Sequence, residues 1–459
     1  MGAGREQQAT VGPATGDAVT RPGGPDRPVP LLLRIFAFSV FFFPSSMVIG
    51  PLGAVGTVPM ILGGLLLALW FASAVFGLHD PLAARHPARL AVGVLLLATF
   101  ASYVALYSGW SGTSTVAGRA SADRWLILLL VSAGIVMVVA ETVRTLDHAL
   151  VLVRAVLAGA YFCSLVALVQ FQFGIDPVQW LQQAMPGFTY NGGDTTFQLR
   201  GGLVRVAGTT FSPIELSVVC AVLLPLSIWR AIYDHRGRMW LHWVGTGLLV
   251  FAIASTVSRS GILGLLIVLL IFLPFLPSAA RRWAMIAVPT GLAGLFLVMP
   301  GLVGTLFASF TAGADDPSIS TRTNNYPRVV ALVEERPLVG AGPGNYLPDN
   351  ALHILDNQYL NSLVTIGTLG LVGISCYLLV PGLSALMVAR TVGNPQLKVL
   401  AGAVSAGTLA AGLCSLTFDS MSFPVFALIY PVLVGLSGAV WLLAGSTSAS
   451  DVGGDAWTR

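Results

Sequence analysis

Charged residues are scarce in this chain: aspartate, glutamate, lysine and arginine make up 10% of its 459 residues. A soluble domain carries about 25% charged residues. Hydrophobic residues reach 55%, and the mean hydropathy is +0.81. The composition therefore excludes a water-soluble globule and predicts an all-α integral membrane protein with many spans.

Lysine is almost missing as well, since Lys398 is the single lysine among 24 basic residues. The net charge of +4 and the isoelectric point near 9.0 could suggest a nucleic-acid partner. The basic residues are instead scattered over short stretches between apolar segments, so we exclude nucleic-acid binding. A GC-rich genome explains the preference for arginine as well as any functional reason does.

Cysteine is rare too, and its placement excludes a disulfide framework or a zinc site. Each cysteine lies inside an apolar run and none forms a CxxC pair: Cys163, Cys220, Cys376 and Cys414. Such cysteines are typical of small buried residues. No cleavable signal peptide is recognised before the first apolar stretch, and residues 1–30 are predicted to form a disordered cytoplasmic tail.

Long apolar stretches dominate the rest of the sequence, and about twelve of them could cross roughly 30 Å of hydrocarbon. They lie near residues 31–49, 53–77, 90–108, 125–141, 149–172, 214–230, 240–257, 261–277, 284–305, 358–381, 399–417 and 424–444. We therefore expect one transmembrane domain over residues 31–445, with a second cytoplasmic tail over residues 446–459.

Basic residues in the short loops orient this domain, because cytoplasmic loops carry an excess of lysine and arginine. With the N-terminus in the cytoplasm, most short-loop basic residues fall inside the cell. Those that remain in short outer loops are Arg119, Arg124 and Arg259. Two long loops, at about 173–213 and 306–357, then lie outside the membrane.

The two long loops concentrate arginine and aromatic residues. These are Arg200, Arg205, Arg322, Arg328 and Arg336, with Trp180, Phe188, Tyr190, Phe197, Tyr326 and Tyr346. Long loops are largely exempt from the charge rule that orients short ones, so a chemical role for these arginines is predicted. The alternative is that they bind lipid headgroups or pair with carboxylates of the same loops.

A short helix is predicted in the second loop, beginning after Asn325 and ending at Pro337. Asn325 offers a cap, and Pro327 stands in the first turn. The segment Val329–Val333 gives the helix one apolar face. Such a helix would lie on the membrane surface or on the outer ends of the spans.

Arginine suits diphosphate oxygens because its guanidinium is planar, always charged and able to donate two parallel hydrogen bonds. Arg205, Arg259, Arg322 and Arg328 are therefore predicted to neutralise a leaving pyrophosphate without a metal ion. Arg259 is the sharpest candidate, since it lies between two spans with almost no loop, where a charge is costly unless it has a partner. The alternative for Arg259 is a side chain that extends to the lipid headgroups.

A hydroxyl that attacks as nucleophile needs a general base, and His353 is the only one of six histidines on the predicted outer side. Asp356 follows shortly after, at the membrane edge, where burial would raise its pKa into a useful range. In a helix the two side chains would share a face. The alternative for Asp356 is a helix N-cap, although capping and catalysis can coexist.

Three further patterns are assigned no chemistry. The glycines of segment 340–344 have GxGxG spacing but no following lysine and no βαβ context, which excludes a nucleotide loop. Asp315-Asp316 is predicted to be solvated loop rather than a metal site, because no second carboxylate cluster accompanies it. Gly367, Gly370 and Gly373 repeat on one face of a predicted helix, which favours close helix packing.

Four blocks between residues 200 and 435 carry a family resemblance. They are Arg205-Val-Ala-Gly-Thr-Thr-Phe-Ser-Pro213, Ser258-Arg-Ser-Gly261, Arg322-x3-Tyr326 with Glu335-Arg-Pro-Leu-Val-Gly-Ala-Gly342, and Asp356-Asn357-x-x-Leu360 with Gly367 and Gly370. Their order and their placement on the predicted outer face resemble the O-antigen ligase and O-antigen polymerase superfamily of bacterial membrane glycosyltransferases.

The resemblance implies about twelve helices and a metal-independent transferase that needs no cofactor. Its donor would be a glycan on a polyprenyl pyrophosphate such as undecaprenyl pyrophosphate, outside the cytoplasmic membrane, and its other partners a glycan or lipid-linked acceptor and membrane lipids. Family ligases usually have histidine where this chain has Asp356, and many polymerases have aspartate there. Tyr326 replaces a usual tryptophan. The first departure favours a polymerase over a ligase.

The predicted site has Asp356 and His353 as catalytic residues, and Tyr326, Tyr346 and Asn357 as glycan contacts. The rival interpretation is a transporter or flippase, which would have two related halves and charges near the bilayer midplane. We find no convincing internal repeat, and the charges cluster at one face, which favours chemistry at the surface. A structural membrane protein without catalysis is the third interpretation.

Overall fold

The computed structural model describes residues 28–111, 114–192, 197–200, 203–298, 324–348 and 350–454. The predicted pyrophosphate ligand Arg322, the pair Asp315-Asp316 and most of the predicted N-terminal tail lie outside these residues.

Helices make up nearly all the regular structure. The first group is α1 (Leu31–Phe42), α2 (Val58–Val75), α3 (Pro87–Tyr107), α4 (Val116–Thr142), α5 (Leu146–Phe173), the short α6 (Val178–Gln183) and α7 (Pro213–Tyr233). The second group is α8 (Met239–Ser255), α9 (Arg259–Phe272), α10 (Ser278–Val298), α11 (Tyr326–Glu335), α12 (Gln358–Thr391), α13 (Pro395–Cys414) and α14 (Pro424–Gly454). The predicted all-α class is confirmed.

Short strands and 3-10 turns occur between the helices. Strand β1 (Met47–Val48) pairs antiparallel with β2 (Thr189–Tyr190), and β3 (Gln198–Arg200) pairs antiparallel with β4 (Leu203–Arg205). Turns of 3-10 helix span Gly50–Val55, Leu273–Phe275, Ala351–His353 and Ser420–Ser422.

Eight of the described helices are long and apolar enough to cross a membrane: α2, α3, α4, α5, α7, α12, α13 and residues Pro424–Ser446 of α14. Three shorter apolar helices are α1, α8 and α9 with its following turn. The chain is therefore a multi-pass membrane protein. The central helices are α14 and α13, of which 89% and 83% is buried within the protein, and α2, at 22%, lies at the periphery.

Local sequence signals set most helix starts. Thr57, Ser212 and Asn394 each accept a backbone N–H of the following first turn, and a proline stands in that turn in all three cases. Helix α4 begins well before the predicted fourth span at residue 125, because it is capped by Thr115 and begins at Val116. The polar residues of its first turns suggested a loop, but Asp123 accepts the hydroxyls of two tyrosines of α3.

The predicted first span, 31–49, is also too long. Helix α1 ends at Phe42, and Pro44 follows directly. The backbone then turns to bond the segment before α7, since Ser45 N donates to Thr209 O at 3.0 Å. The Thr209 hydroxyl donates in return to Phe41 O at 2.5 Å. The end of α1 is thus held by a tertiary contact that hydropathy does not reveal.

Helix α12 is broken at Gly367, whose φ of 76° is rarely adopted by residues with a side chain. Segment 337–342 fills the break. Ala341 N donates to Val364 O at 3.0 Å, and Gly342 N to Thr365 O at 2.8 Å. Thr368 N donates back to Pro337 O at 2.8 Å. Freed backbone groups are thus satisfied inside the protein, as a membrane-embedded helix requires.

The prediction that Gly367 belongs to a continuous packing face is therefore wrong. A Cβ atom on Gly367 would lie 2.3 Å from the backbone of Leu338, so the residue permits a close approach of main chains. Gly373 does fit the prediction, because it packs directly against Leu95 of α3.

Candidate active site

The predicted site blocks meet at one end of the bundle, where α12 begins and α13 ends, and we call this the site end. Arg205 at the end of β4 donates from Nε to Thr256 O at 2.7 Å. Arg259 begins α9 at the other side of the same turn. Two of the predicted pyrophosphate ligands are thus carried by one α8–α9 turn and the strand bonded to it.

The backbone of the α8–α9 turn is strained. Val257, between Thr256 and Arg259, has a φ of 48°, in the region that β-branched residues avoid. Such a conformation costs on the order of 1–3 kcal/mol and persists only where its surroundings enforce it. Strained backbone of this kind clusters at functional sites, which singles out the α8–α9 turn.

The α13–α14 loop, residues 415–423, joins the arginine-bearing turn to the start of α12. The hydroxyls of Thr417 and Ser260 are 2.7 Å apart. Gln358 N donates to Ser415 O at 2.9 Å, and the Gln358 side-chain oxygen accepts from Met421 N at 2.7 Å. Residues distant in sequence are thereby held at one place.

Asp419 of this loop is a half-buried carboxylate at the site end. Its Oδ2 accepts from Asn361 Nδ2 at 2.7 Å and from the Ser422 hydroxyl. Its Oδ1 is buried and has no hydrogen-bond partner among the described residues. Burial raises the pKa of Asp419 to about 6, and the negative charge of Asp356 acts in the same direction. The bonds from Ser422 and Asn361 oppose this rise in pKa.

A cleft of about 350 Å³ lies beside Asp419. Its polar wall is formed by Arg124, Tyr346, Asn361, Asp419 and Ser422, and its apolar wall by residues of α2, α4 and α14. The volume is within the range of small-molecule sites, about 300–1,000 Å³. Arg124 and Asp419 thus line the same cleft as apolar side chains. Such a lining suits a ligand that has both a polar group and an apolar part.

Asp356 is exposed, so the prediction that it is buried at the membrane edge is wrong. The cap of α12 is its neighbour Asn357, whose Oδ1 accepts from Tyr359 N at 2.9 Å and from Leu360 N at 3.2 Å. The capping alternative for Asp356 is therefore wrong as well. The oxygen of the Asn357 side chain is thus engaged in the cap, and its amide nitrogen is the atom that could contact a ligand.

His353 does not share a helix with Asp356, contrary to the prediction. The 3-10 turn Ala351–His353 ends there, and α12 begins only at Gln358. The His353 Nδ1 lies 2.7 Å from Arg328 Nη1. Since a guanidinium only donates, Nδ1 is the acceptor and the ring proton is on Nε2. Tyr346, whose hydroxyl donates to His353 O at 2.6 Å, holds this turn against the cleft wall.

The helix predicted in the second loop is confirmed as α11, with Pro327 in its first turn. The predicted cap is wrong, because the Asn325 side chain makes no cap bond and its amide donates to Leu352 O at 3.0 Å. Val329 is buried, and Leu332 and Val333 pack with it against the start of α12. Val330 is 54% exposed and so departs from the predicted apolar face.

The predicted glycan contact Tyr326 is half exposed at the start of α11, close in the chain to Arg328. Both residues belong to α11, whereas Arg259 begins α9 and Arg205 is bonded to the α8–α9 turn from the end of β4. The structure therefore groups the described predicted residues into two sets at the same end of the bundle.

Sequence reasoning missed Asp419, Asn361 and the role of Arg124. A signal for Asp419 was available, since it is the only charged residue between the last two apolar stretches. Arg124 was placed in an outer loop but given no function. Asn361 has the appearance of an ordinary helix residue, and only the tertiary contact with Asp419 distinguishes it.

In the comparison with protein families, residues 244–375 match the family described as O-antigen ligase. The matched segment includes Arg259, Arg328, His353 and Asp356, and it excludes Arg205 and Asp419. Comparison with curated proteins found no match. Residues 244–375 are therefore similar to the O-antigen ligase family, which supports the resemblance of the chain to the superfamily of O-antigen ligases and polymerases.

Proposed function

We propose that the chain is a glycosyltransferase that moves a glycan from a polyprenyl pyrophosphate to the hydroxyl of an acceptor glycan. One observation carries the proposal: an arginine-bearing turn and two carboxylates meet at the site end. The contacts run from Arg205 through Thr256 and from Ser260 through Thr417 to Asp419. Asp419 in turn acts electrostatically on Asp356.

The donor pyrophosphate is assigned to Arg205 and Arg259, with Arg322 and Arg328 contributing from the outer segment. In the transfer, the acceptor oxygen bonds to the anomeric carbon while the bond from that carbon to the pyrophosphate oxygen breaks. Negative charge grows on the departing pyrophosphate, where fixed guanidinium groups stabilise it most. No metal ion is required in this scheme, and the stereochemistry at the anomeric carbon is inverted.

The acceptor proton is assigned to Asp356, which is exposed and therefore accessible to a hydroxyl. The negative charge of Asp356 contributes to the raised pKa of Asp419, so the two carboxylates lie close enough to interact. His353 is the alternative base, and it acts only if Arg328 first releases Nδ1. Tyr326, Tyr346 and the Asn357 amide are assigned to the glycan.

The membrane arrangement completes the proposal. About twelve spans place both termini in the cytoplasm of a bacterial cell and the site end outside the cytoplasmic membrane. Aspartate at position 356 favours polymerisation of lipid-linked units over their ligation to a different acceptor. The break in α12 is a feature that transporters and flippases also show. Segment 337–342 fills that break with backbone contacts, which favours the transferase.

The test is an assay with purified protein and a lipid-linked oligosaccharide as the only substrate. A polymerase produces a ladder of longer lipid-linked glycans and releases polyprenyl pyrophosphate, and a ligase does so only with a second acceptor. Activity should survive EDTA; loss that Mg²⁺ or Mn²⁺ restores would contradict the metal-free scheme. Movement of the intact donor across a vesicle membrane without bond formation would instead identify a flippase.

A further inference from the structure

A second cavity lies at the end of the bundle opposite to the candidate site. Helix α4 reaches both: Arg124 lines the first cleft and Glu141 the second cavity, roughly 25 Å farther along the helix at 1.5 Å per residue. The second cavity has a volume of about 220 Å³ and is lined by residues of α1, α2 and α4 and by His79. It is therefore separate from the proposed transferase site.

Glu141 is the acidic group of this cavity. Its Oε2 accepts from Trp70 Nε1 at 2.8 Å and lies 3.6 Å from His79 Nε2. His79 Nδ1 is in turn 2.9 Å from the Ser73 hydroxyl. The second oxygen, Glu141 Oε1, is buried and has no hydrogen-bond partner among the described residues. A buried carboxylate oxygen without a donor is costly, so a donor from a ligand would stabilise it.

Apolar side chains form the rest of the cavity wall. They belong to Leu32, Leu66, Leu69 and Val138. Leu69 is 54% exposed, and it lies on the peripheral helix α2. The cavity therefore opens toward the lipid-facing side of the bundle rather than toward its centre.

Positive charge surrounds the acidic group. The charges of Arg89 and Arg144 both act on the Glu141 carboxylate. Arg144 also donates from Nε to Glu141 O at 3.1 Å, which fixes its stem at the end of α4. A ligand that bonds Glu141 Oε1 must supply a hydrogen-bond donor, and the two arginines would attract an anionic group on the same ligand.

We propose that this cavity binds the headgroup of an aminophospholipid of the ethanolamine type. The ammonium donates to Glu141 Oε1 and lies near the Trp70 ring, a favourable position for a cation. The phosphate is placed toward Arg89 and Arg144, and the acyl chains lie along α2. The cavity is smaller than the roughly 300 Å³ of ordinary ligand pockets, which suits a headgroup whose tails remain in the bilayer.

Two lipids that differ only at the nitrogen test the proposal. Phosphatidylethanolamine has N–H donors, and phosphatidylcholine with the same acyl chains has none. Lipid retained by the full-length protein is measured by native mass spectrometry after exposure to each lipid in detergent. We expect phosphatidylethanolamine to bind about tenfold more tightly, the factor that one hydrogen bond to a charged group supplies.

Variants link the preference to the cavity. Glu141→Gln should abolish it, while Asp147→Asn, which changes an exposed carboxylate at the same end of the bundle, should keep it. Equal retention of the two lipids by the unaltered protein overturns the proposal, and this arm does not depend on how any variant folds. A preference that survives Glu141→Gln also overturns it. Binding of Zn²⁺ that depends on Glu141, with no lipid preference, would identify a metal-ion site instead.

Discussion

The two carboxylates of the candidate site differ in their surroundings, and the difference separates their expected roles. Asp356 is exposed and can meet a substrate hydroxyl directly. Asp419 is held by Asn361 and Ser422 inside the protein, with one buried oxygen that lacks a hydrogen-bond partner among the described residues. We therefore expect Asp356 to act on the proton and Asp419 to position and tune its neighbour.

The raised pKa of Asp419, about 6, predicts a step in the pH profile. Above that pH Asp419 carries a negative charge at the site end, which favours loss of the proton from the acceptor hydroxyl, so turnover should increase as pH rises through about 6. Asp419→Asn should remove this step. Turnover measured from acid to mildly alkaline pH checks it, and an unchanged profile in the variant would remove Asp419 from the mechanism.

The same pKa has a consequence for stability. Because the folded state binds the Asp419 proton more tightly than the unfolded state does, unfolding free energy should fall as pH rises from the ordinary carboxyl pKa toward about 6. Above that range the loss from this group is complete. Asp419→Asn should flatten this part of the stability curve, which thermal unfolding in detergent at several pH values measures.

Arg259 is expected to act on the leaving group. Arg259→Ala should lower turnover by about 10²-fold or more, by analogy with the loss of one donor to a developing oxyanion. Lysine should restore part of the rate, because it keeps the charge and loses the planar fork. Arg282→Ala, which removes an exposed arginine near the start of α10, is the control and should leave turnover unchanged.

Asp356 and Asn357 offer a matched pair, since one is assigned to catalysis and the other caps α12. Asp356→Asn should reduce turnover by about 10²–10⁴-fold, the range for a positioned acid–base group, with stability unchanged. Asn357→Ala should cost about 1 kcal/mol of stability through the lost cap. Near-normal turnover of Asp356→Asn would transfer the base to His353 or exclude a protein base.

At the scale of elements, the broken helix α12 is the feature most sensitive to a single methyl group. Gly367→Ala should destabilise the protein by roughly 2 kcal/mol or more, because alanine is strained at this φ and its Cβ meets the Leu338 backbone. Gly93→Ala, in α3, is the control, since a Cβ there meets nothing within 4 Å. Thermal unfolding of the purified variants distinguishes them. Equal unfolding temperatures would contradict the close approach.

The sequence predicts elements well where the cause is local. Helix α11 follows from Pro327 and its apolar positions, and its place on α12 was one of two predicted alternatives. Local signals failed where a distant partner decides the backbone. The break at Gly367 depends on a segment earlier in the chain, and the end of α1 depends on Thr209.

For the candidate site, the sequence predicted which types of residue are present, but it did not predict which of them lie close together in the fold. The chemistry of arginine was enough to select Arg205 and Arg259 as candidates. In the structure Arg259 begins α9, and Arg205 is hydrogen-bonded to the turn before it. The burial expected for Asp356 belongs instead to Asp419. Which of these two carboxylates is the more buried depends on how the α13–α14 loop packs against the start of α12. Residue spacing around Asp356 or around Asp419 does not predict that packing.

At the scale of the whole molecule, the opposite ends of the bundle should face opposite sides of the membrane. Glu334 in α11 is exposed at the site end, and Arg238 is exposed just before α8 at the other end. In intact cells, a membrane-impermeant maleimide should label Glu334→Cys and spare Arg238→Cys. The reverse pattern would contradict both the orientation and an external site.

The insertion of segment 337–342 into α12 also limits which segments related proteins can exchange by recombination. A loop that merely joined two spans could be replaced without regard to the helix that follows it. Here the loop supplies partners for Val364 and Thr365, and its glycine at position 340 fits only beside the matching gap. Recombination between related chains should therefore preserve residues 324–391 as a single cassette, inherited or lost together.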